Sequence, residues 1–249
     1  ASATRDLFLN AQSEVDRQRA YFSHQSAGVP GTVAGLVLAQ KRYGTLPLAE
    51  VMAPAIALAR DGLEVSFALN QEIAARAERL ATNAEARKLF FDAEGRVPAI
   101  GARWQQPDLA WTLEQIAREG HEGFYAGEVA DRILAEMKAG DGLISRADLA
   151  AYRAIEREPV RGRYKDFEVV STPPPSSDGI HIIQILNILE GYDLQAMGHN
   201  SAAYIHHLAE AMKLAYADRS RYLADPDFEP VPVDALIDKA YAERQRALI

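Results

Sequence analysis

Three consecutive prolines, Pro173-Pro174-Pro175, most constrain what this chain can fold into. They fix φ at three successive residues and remove three backbone donors, so neither a helix nor a central strand passes through them. What flanks them is regular. Phe167 to Ser171 alternates and is rich in β-branched residues, and with Val160 to Tyr164 it predicts a hairpin over Lys165-Asp166. Behind the prolines, Ser176-Ser177-Asp178-Gly179 supplies the residue types that open a helix. Ile182 to Leu189 then runs almost wholly apolar, so a helix is expected over Asp178–Glu190. A strand, a stiff loop and a buried helix thus meet at one point. This geometry suits a functional scaffold and names no reaction.

Elsewhere the punctuation predicts mostly helix. Thr4 caps a short helix from Arg5, and the polar, aperiodic stretch from Asn10 to Ser26 reads as an exposed connection. Thr32 to Tyr43 follows Pro30-Gly31 and stops at Gly44, and its alanines with Gly35 suggest close packing against another backbone. Leu48 to Arg60 starts after Pro47, stops at Asp61-Gly62, and carries Pro54 as a predicted kink. A helix from Ser66 to about Leu80 follows, then Pro107–Glu119 and Gly127–Ala139, the last two each closed by glycine. Ser145-Arg146-Ala147-Asp148 reads as a capping box with Asp for the usual Glu. A long helix from about Ser201 to Arg221, a proline-rich loop at Asp225–Pro232 and a final helix from Ala235 complete the chain.

Composition narrows the partners. The net charge is −8, which argues against nucleic acid or an anionic membrane surface. No apolar run is long enough to span a bilayer. Without cysteine there is no disulfide, thiolate nucleophile or Cys-ligated metal. The 249 residues, 48% of them hydrophobic, suffice for a substantial core. They are expected to act as a single unit, helical over 1–155, with the hairpin and remaining helices over 156–249.

No residue reads as a catalytic group by itself. Ser176 and Ser177 sit on a strand-to-helix turn, but Pro175 forbids the backbone of a nucleophile elbow. They read as helix caps. They are also the one weak pair of substrate-binding candidates, since free amides at a helix start attract anions, although Asp178 beside them opposes this. His206 and Glu210 share a helix face next to His207, yet a third ligand and the HExxH order are missing, so no metal site is expected. His181 reads as a satisfied core or interface histidine. Asp218, Arg219 and Arg221 read as ion-pair partners of Asp225 or Asp227. Glycines 28, 31 and 35 form no phosphate loop, and no cofactor is expected.

The loop Pro-Pro-Pro-Ser-Ser with Gly179-Ile180-His181-Ile182 resembles the large subunit of γ-glutamyltransferases, which are N-terminal-nucleophile hydrolases. Ala3-Thr4-Arg5-Asp6, Gly28 to Gly35, Leu58 to Gly62, Gly142-Leu143-Ile144, Asp148 to Tyr152, Gln184 to Glu190, Ala215 to Ser220 and Asp225 to Phe228 match in family order. One departure is Asp178, where the family usually has glycine. The resemblance implies an α+β fold class: this chain would be the mostly helical part of an αββα sandwich, with few strands of its own. It implies an autoprocessed precursor whose small subunit, the partner here, begins with the threonine nucleophile. That hydroxyl attacks a γ-glutamyl amide while its own α-amine serves as base. None of Thr4, Thr32, Thr45, Thr82, Thr112 and Thr172 stands in the family's Thr-Thr-His context, so no catalytic residue is expected within this chain. The arginine that grips the substrate carboxylate is expected upstream of Ala3, and Arg5 matches a different position. The implied activity moves a γ-glutamyl group from glutathione or related amides to water or an amino acid. A cephalosporin or glutaryl acylase, or a non-catalytic helical scaffold, are the alternatives. The resemblance favours a periplasmic or secreted location.

Overall fold

The computed structural model describes residues 3–249. The chain divides into two compact units at Ile155/Glu156. The first is built from α1 (Arg17–Phe22), α2 (Thr32–Tyr43), α3 (Leu48–Asp61), α4 (Phe67–Ala75), α5 (Ala77–Leu80), α6 (Ala84–Phe90), α7 (Pro107–Glu119), α8 (Glu122–Tyr125), α9 (Gly127–Ala139) and α10 (Arg146–Ala151). A two-residue antiparallel ribbon joins β1 (Leu63–Glu64) to β2 (Arg103–Trp104).

Local chemistry explains the ends of these helices. Gly62 stops α3 at φ 84°, a conformation that costs a residue with a Cβ far more than glycine. Ser145 Oγ accepts from Asp148 N at 3.2 Å, and Asp148 Oδ2 accepts from Ser145 N at 2.9 Å, so the capping box forms with the shorter acid. In the core, Tyr125 lies with Ala34, Ala130, Ile144 and Leu149. Its hydroxyl donates to Pro30 O at 2.5 Å and accepts from Ala34 N at 3.2 Å, which fastens α8 to the start of α2. Burial pushes this phenol's pKa up.

Several expectations for this unit change. Thr4 caps no helix: residues 5–8 form a turn, and Leu9 bridges Val15. The turn between them closes because Asn10 Oδ1 accepts from both Gln12 N and Glu14 N, each at 2.9 Å. The stretch expected as a connection holds α1, capped by Asp16 Oδ1 on Arg19 N at 3.0 Å, and a 3-10 turn at His24–Ser26. A Cβ on Gly35 would meet no atom within 4 Å, so no other backbone lies close against it; Ala34 is the fully buried residue of α2, with Val33 packed beside it. The helix from Ser66 breaks at Arg76, whose φ of −114° and ψ of 7° lie outside helical geometry.

The second unit contains β3 (Val160–Tyr164), β4 (Phe167–Ser171), α11 (Asp178–Leu189), α12 (Leu194–Met197), α13 (Ala202–Tyr222), α14 (Val233–Leu236) and α15 (Lys239–Arg246). The hairpin forms in the expected register, with Val160 opposite Ser171 and Tyr164 opposite Phe167. α11 lies against it. Gly162 of β3 leaves room for Ile183, whose Cγ2 would stand 2.5 Å from any Cβ placed there. Ile180 and Ile183 join Val160 and Leu236 in one cluster, while Ile188 and Leu189 join Ala211 and Ala242 in another. Each buried Ile, Leu or Val among them contributes roughly 1.5–3 kcal/mol. The final helix departs from expectation. It is two pieces, α14 and α15, because Asp238 Oδ1 accepts from Tyr241 N at 3.0 Å and starts a new helix.

Two outcomes test these cores. Tyr125→Phe removes a hydroxyl with two partners and should cost about 1–3 kcal/mol. Ile183→Ala should cost about 2–5 kcal/mol through lost burial and a cavity under the hairpin. Urea unfolding monitored by circular dichroism reads both; a change below 0.5 kcal/mol (roughly the scatter of surface substitutions) would contradict the packing described.

Candidate functional site

The proline loop connects β4 to α11, and its packing follows from one small residue. A Cβ on Gly179, in the first turn of α11, would collide with Thr172 O, so glycine lets the helix start against the backbone that leaves β4. The peptide between Pro174 and Pro175 is cis. Thr172 Oγ1 lies 3.5 Å from Ser176 Oγ, which accepts from Asp178 N at 3.4 Å. Ser177 occupies the N-cap position but makes no capping bond. Its Oγ instead accepts from Arg219 Nε of α13 at 3.3 Å. Arg219 is not an ion-pair partner of Asp225 or Asp227 as the spacing suggested; Asp227 is taken by Arg157 at 2.5 and 3.1 Å. Among the described residues the recorded side-chain partners of the two serines are Thr172, the amide of Asp178 and Arg219, none of them a general base.

His181 lies one turn further along, 7% exposed, with its ring 5.0 Å from that of Tyr216. The sequence reading made it a satisfied histidine. Its Nε2 has no hydrogen-bond partner among the described residues. Burial, then the Arg219 cation, lower its pKa, and Asp178 opposes them.

A polar cluster that the sequence reading missed lies one further turn along. Asp218, 8% exposed, accepts from Tyr241 OH at 2.8 and 3.0 Å, from Gln245 Nε2 at 2.8 Å and from Gln184 Nε2. α11, α13 and α15 are joined through this one carboxylate. Burial and the bond to Asp218 push the Tyr241 phenol up to about 12. Asn187 Nδ2, on the same face of α11, donates to Ile237 O at 2.7 Å. The available signal was polar residues recurring at 181, 184 and 187 in an otherwise apolar helix.

The remaining residues of interest lie apart. His207 Nδ1 donates to Ala203 O at 2.7 Å, and Glu210 pairs with Lys213 at 2.8 Å. No group of three or more His, Asp or Glu among the described residues is placed to hold a metal. Thr4 and Arg5 are exposed. No helix among the described residues is long and apolar enough to cross a membrane.

What this scaffold belongs to is decided by comparison. The sequence profile described as Gamma-glutamyltranspeptidase matches residues 1–249. The chain belongs to the gamma-glutamyltranspeptidase family. It is 49% identical over 243 residues to the glutathione hydrolase proenzyme of Escherichia coli (strain K12), which covers 98% of this chain and 42% of that relative. It is 44% identical over 253 residues to the acylase ACY 1 proenzyme of Pseudomonas sp. (strain V22), covering 99% of this chain and 45% of the relative. The crystal structure of Helicobacter pylori gamma-glutamyltranspeptidase superimposes with a TM-score of 0.97 at 43% identity, covering all of this chain and 71% of that one. The chain thus spans less than half the length of each of these curated relatives. Within the family fold it is the mostly helical large-subunit portion, with two short ribbons of strand among the described residues.

The Asp218 cluster yields a pH test. Tyr241→Phe should cost roughly 1.5–3 kcal/mol, since a buried carboxylate loses a donor. The raised phenol pKa contributes stability that is complete below pH 10 and is lost as pH rises toward 12. Urea unfolding between pH 8 and 11.5 should therefore show an alkaline decline in the parent that is smaller in the Phe variant. Parallel curves would remove the hydrogen bond from the account.

Proposed function

We propose that this chain is the large-subunit portion of an enzyme that transfers a γ-glutamyl group from glutathione or a related amide to water or an amino acid. The observation that carries this reading is the family match over residues 1–249, together with 49% identity to a glutathione hydrolase proenzyme. In this reading labour is divided: the attacking threonine and its α-amine belong to the small subunit of the same precursor, the partner of this chain. Here the helices serve as scaffold, and the loop at Ser176 and Ser177 is at most a wall near bound substrate. Exposed apolar side chains on unit 2, including Phe167, Val170, Ile205 and Tyr216, are surface on which that partner would rest. In this reading the two compact units belong to one portion of that precursor.

A second reading keeps the same nucleophile and changes the acyl pocket. The 44% identity to an acylase proenzyme supports it.

One comparison tests both. This chain alone should not hydrolyse a γ-glutamyl anilide, whereas the full-length precursor after processing should. Turnover by the isolated chain would place a nucleophile within it and sink the division of labour. A preference of the processed protein for glutaryl over γ-glutamyl amides would favour the acylase.

A further inference from the structure

The two edges of the β3–β4 ribbon are not equivalent. Two residues separate Tyr164 from Phe167, which face each other, so this pair closes the turn with hydrogen bonds between its own backbones. Bonded and non-bonded pairs then alternate along the register. Arg161 and Arg163 of β3, opposite Val170 and Glu168 of β4, therefore aim their amides and carbonyls away from the ribbon.

On the β3 side a clamp closes that row. Lys239 Nζ, at the start of α15, donates to Arg163 O at 2.7 Å and to Glu190 Oε2 at 2.5 Å. Glu190 Oε1, just past α11, accepts from Lys165 N at 2.5 Å. Ile237 and Asp238 line one cleft with Arg161 and Arg163, so the junction of α14 and α15 stands where a further strand would lie. The β4 side has no such cover. Among the described residues the outward amides and carbonyls of Glu168 and Val170 have no partner. Beside them Phe167 is 71% and Val170 49% exposed. An open row of this kind pairs readily with an extended chain.

The occupant follows from length. Residues 1–249 match 42% of the Escherichia coli proenzyme, so more than half of that relative has no counterpart here. We propose that β4 is a docking edge, joined by an extended segment of the same precursor from outside these residues, which pairs with Glu168 and Val170. Alternation sets its character. Val169 packs toward the cluster around Ile183, so side chains entering beside it and Phe167 should be apolar. The residue beside Glu168, on the other face, should be basic or polar. A third strand also takes the ribbon out of the marginal two-stranded class. The inference rests on reading this chain as part of a longer precursor, whichever acyl group that protein transfers.

The test uses the full-length, processed protein. Amide hydrogen exchange at single-residue resolution compares Glu168 and Val170 with Arg161 and Arg163. The β4 amides should be protected by about two orders of magnitude more than the β3 amides, at every protein concentration. Val170→Pro deletes a donor from the docking edge and should lower the melting temperature more than Arg161→Pro, which deletes the matching donor from the closed edge. Four fast amides leave β4 bare and overturn the proposal. Slow amides on β3 alone, or on both strands, overturn the choice of edge. Protection that vanishes on dilution assigns the edge to a second copy and overturns the occupant. Should Val170→Pro fail to fold, exchange in the parent decides alone. Turnover of a γ-glutamyl anilide, measured alongside, separates the two readings. An active protein with a bare β4 sinks the docking edge alone; an inactive one with β4 protected sinks the proposed activity alone.

Discussion

α11 enters its unit as an almost continuous apolar rod, and its two ends are buried in different company. Ile180 and Ile183 lie under the hairpin; Ile188 and Leu189 lie among α13 and α15. Burial of this one helix on several sides organises unit 2. The hairpin has its apolar side on α11, α14 fills the edge of the same cluster through Leu236, and the proline loop is fixed by how closely the first turn of α11 approaches β4. Two-stranded ribbons are marginal in water alone, so β3 and β4 owe their stability to this helix rather than to each other.

An apolar helix with bare sides could slide or rotate without much penalty, and the polar face of α11 limits this. Gln184 bonds to Asp218 of α13, and Asn187 to Ile237 O just before α15. A shift of one residue would strand these amides and the carboxylate in the interior, each costing about 1–3 kcal/mol. Directional bonds here select one register among many that hydrophobic burial would accept.

The legibility of the sequence follows the same division. Where glycine and proline set the backbone, the reading was close: α2, α3, α7, α9 and both strands of the hairpin lie within a residue or so of the predicted limits. Where a serine caps a helix it also held, as at Ser145 with Asp148, but where a lone Asp or Asn starts one it failed. Asp16, Asn83 and Asp238 start α1, α6 and α15 by accepting an amide, and nothing in their flanking composition set them apart from ordinary surface acids and amides. The β1–β2 ribbon, two residues on each side, is too short to leave a periodic trace. At the candidate site the loop and its two serines were visible, because prolines announce themselves. Arg219 at Ser177 and the carboxylate of Asp218 at Tyr241 were not, since α11, α13 and α15 come together only in the folded unit.

The hairpin has one last consequence. Among the described residues β3 and β4 pair only with each other, so each presents an outer row of backbone donors and acceptors. Phe167 and Val170 stand exposed beside those rows, the combination that recruits foreign strands in concentrated solution. Arg161 and Glu168, paired across the ribbon at 2.8 Å on its wet face, place charge where an incoming sheet would have to lie. They act as gatekeepers against such edge pairing.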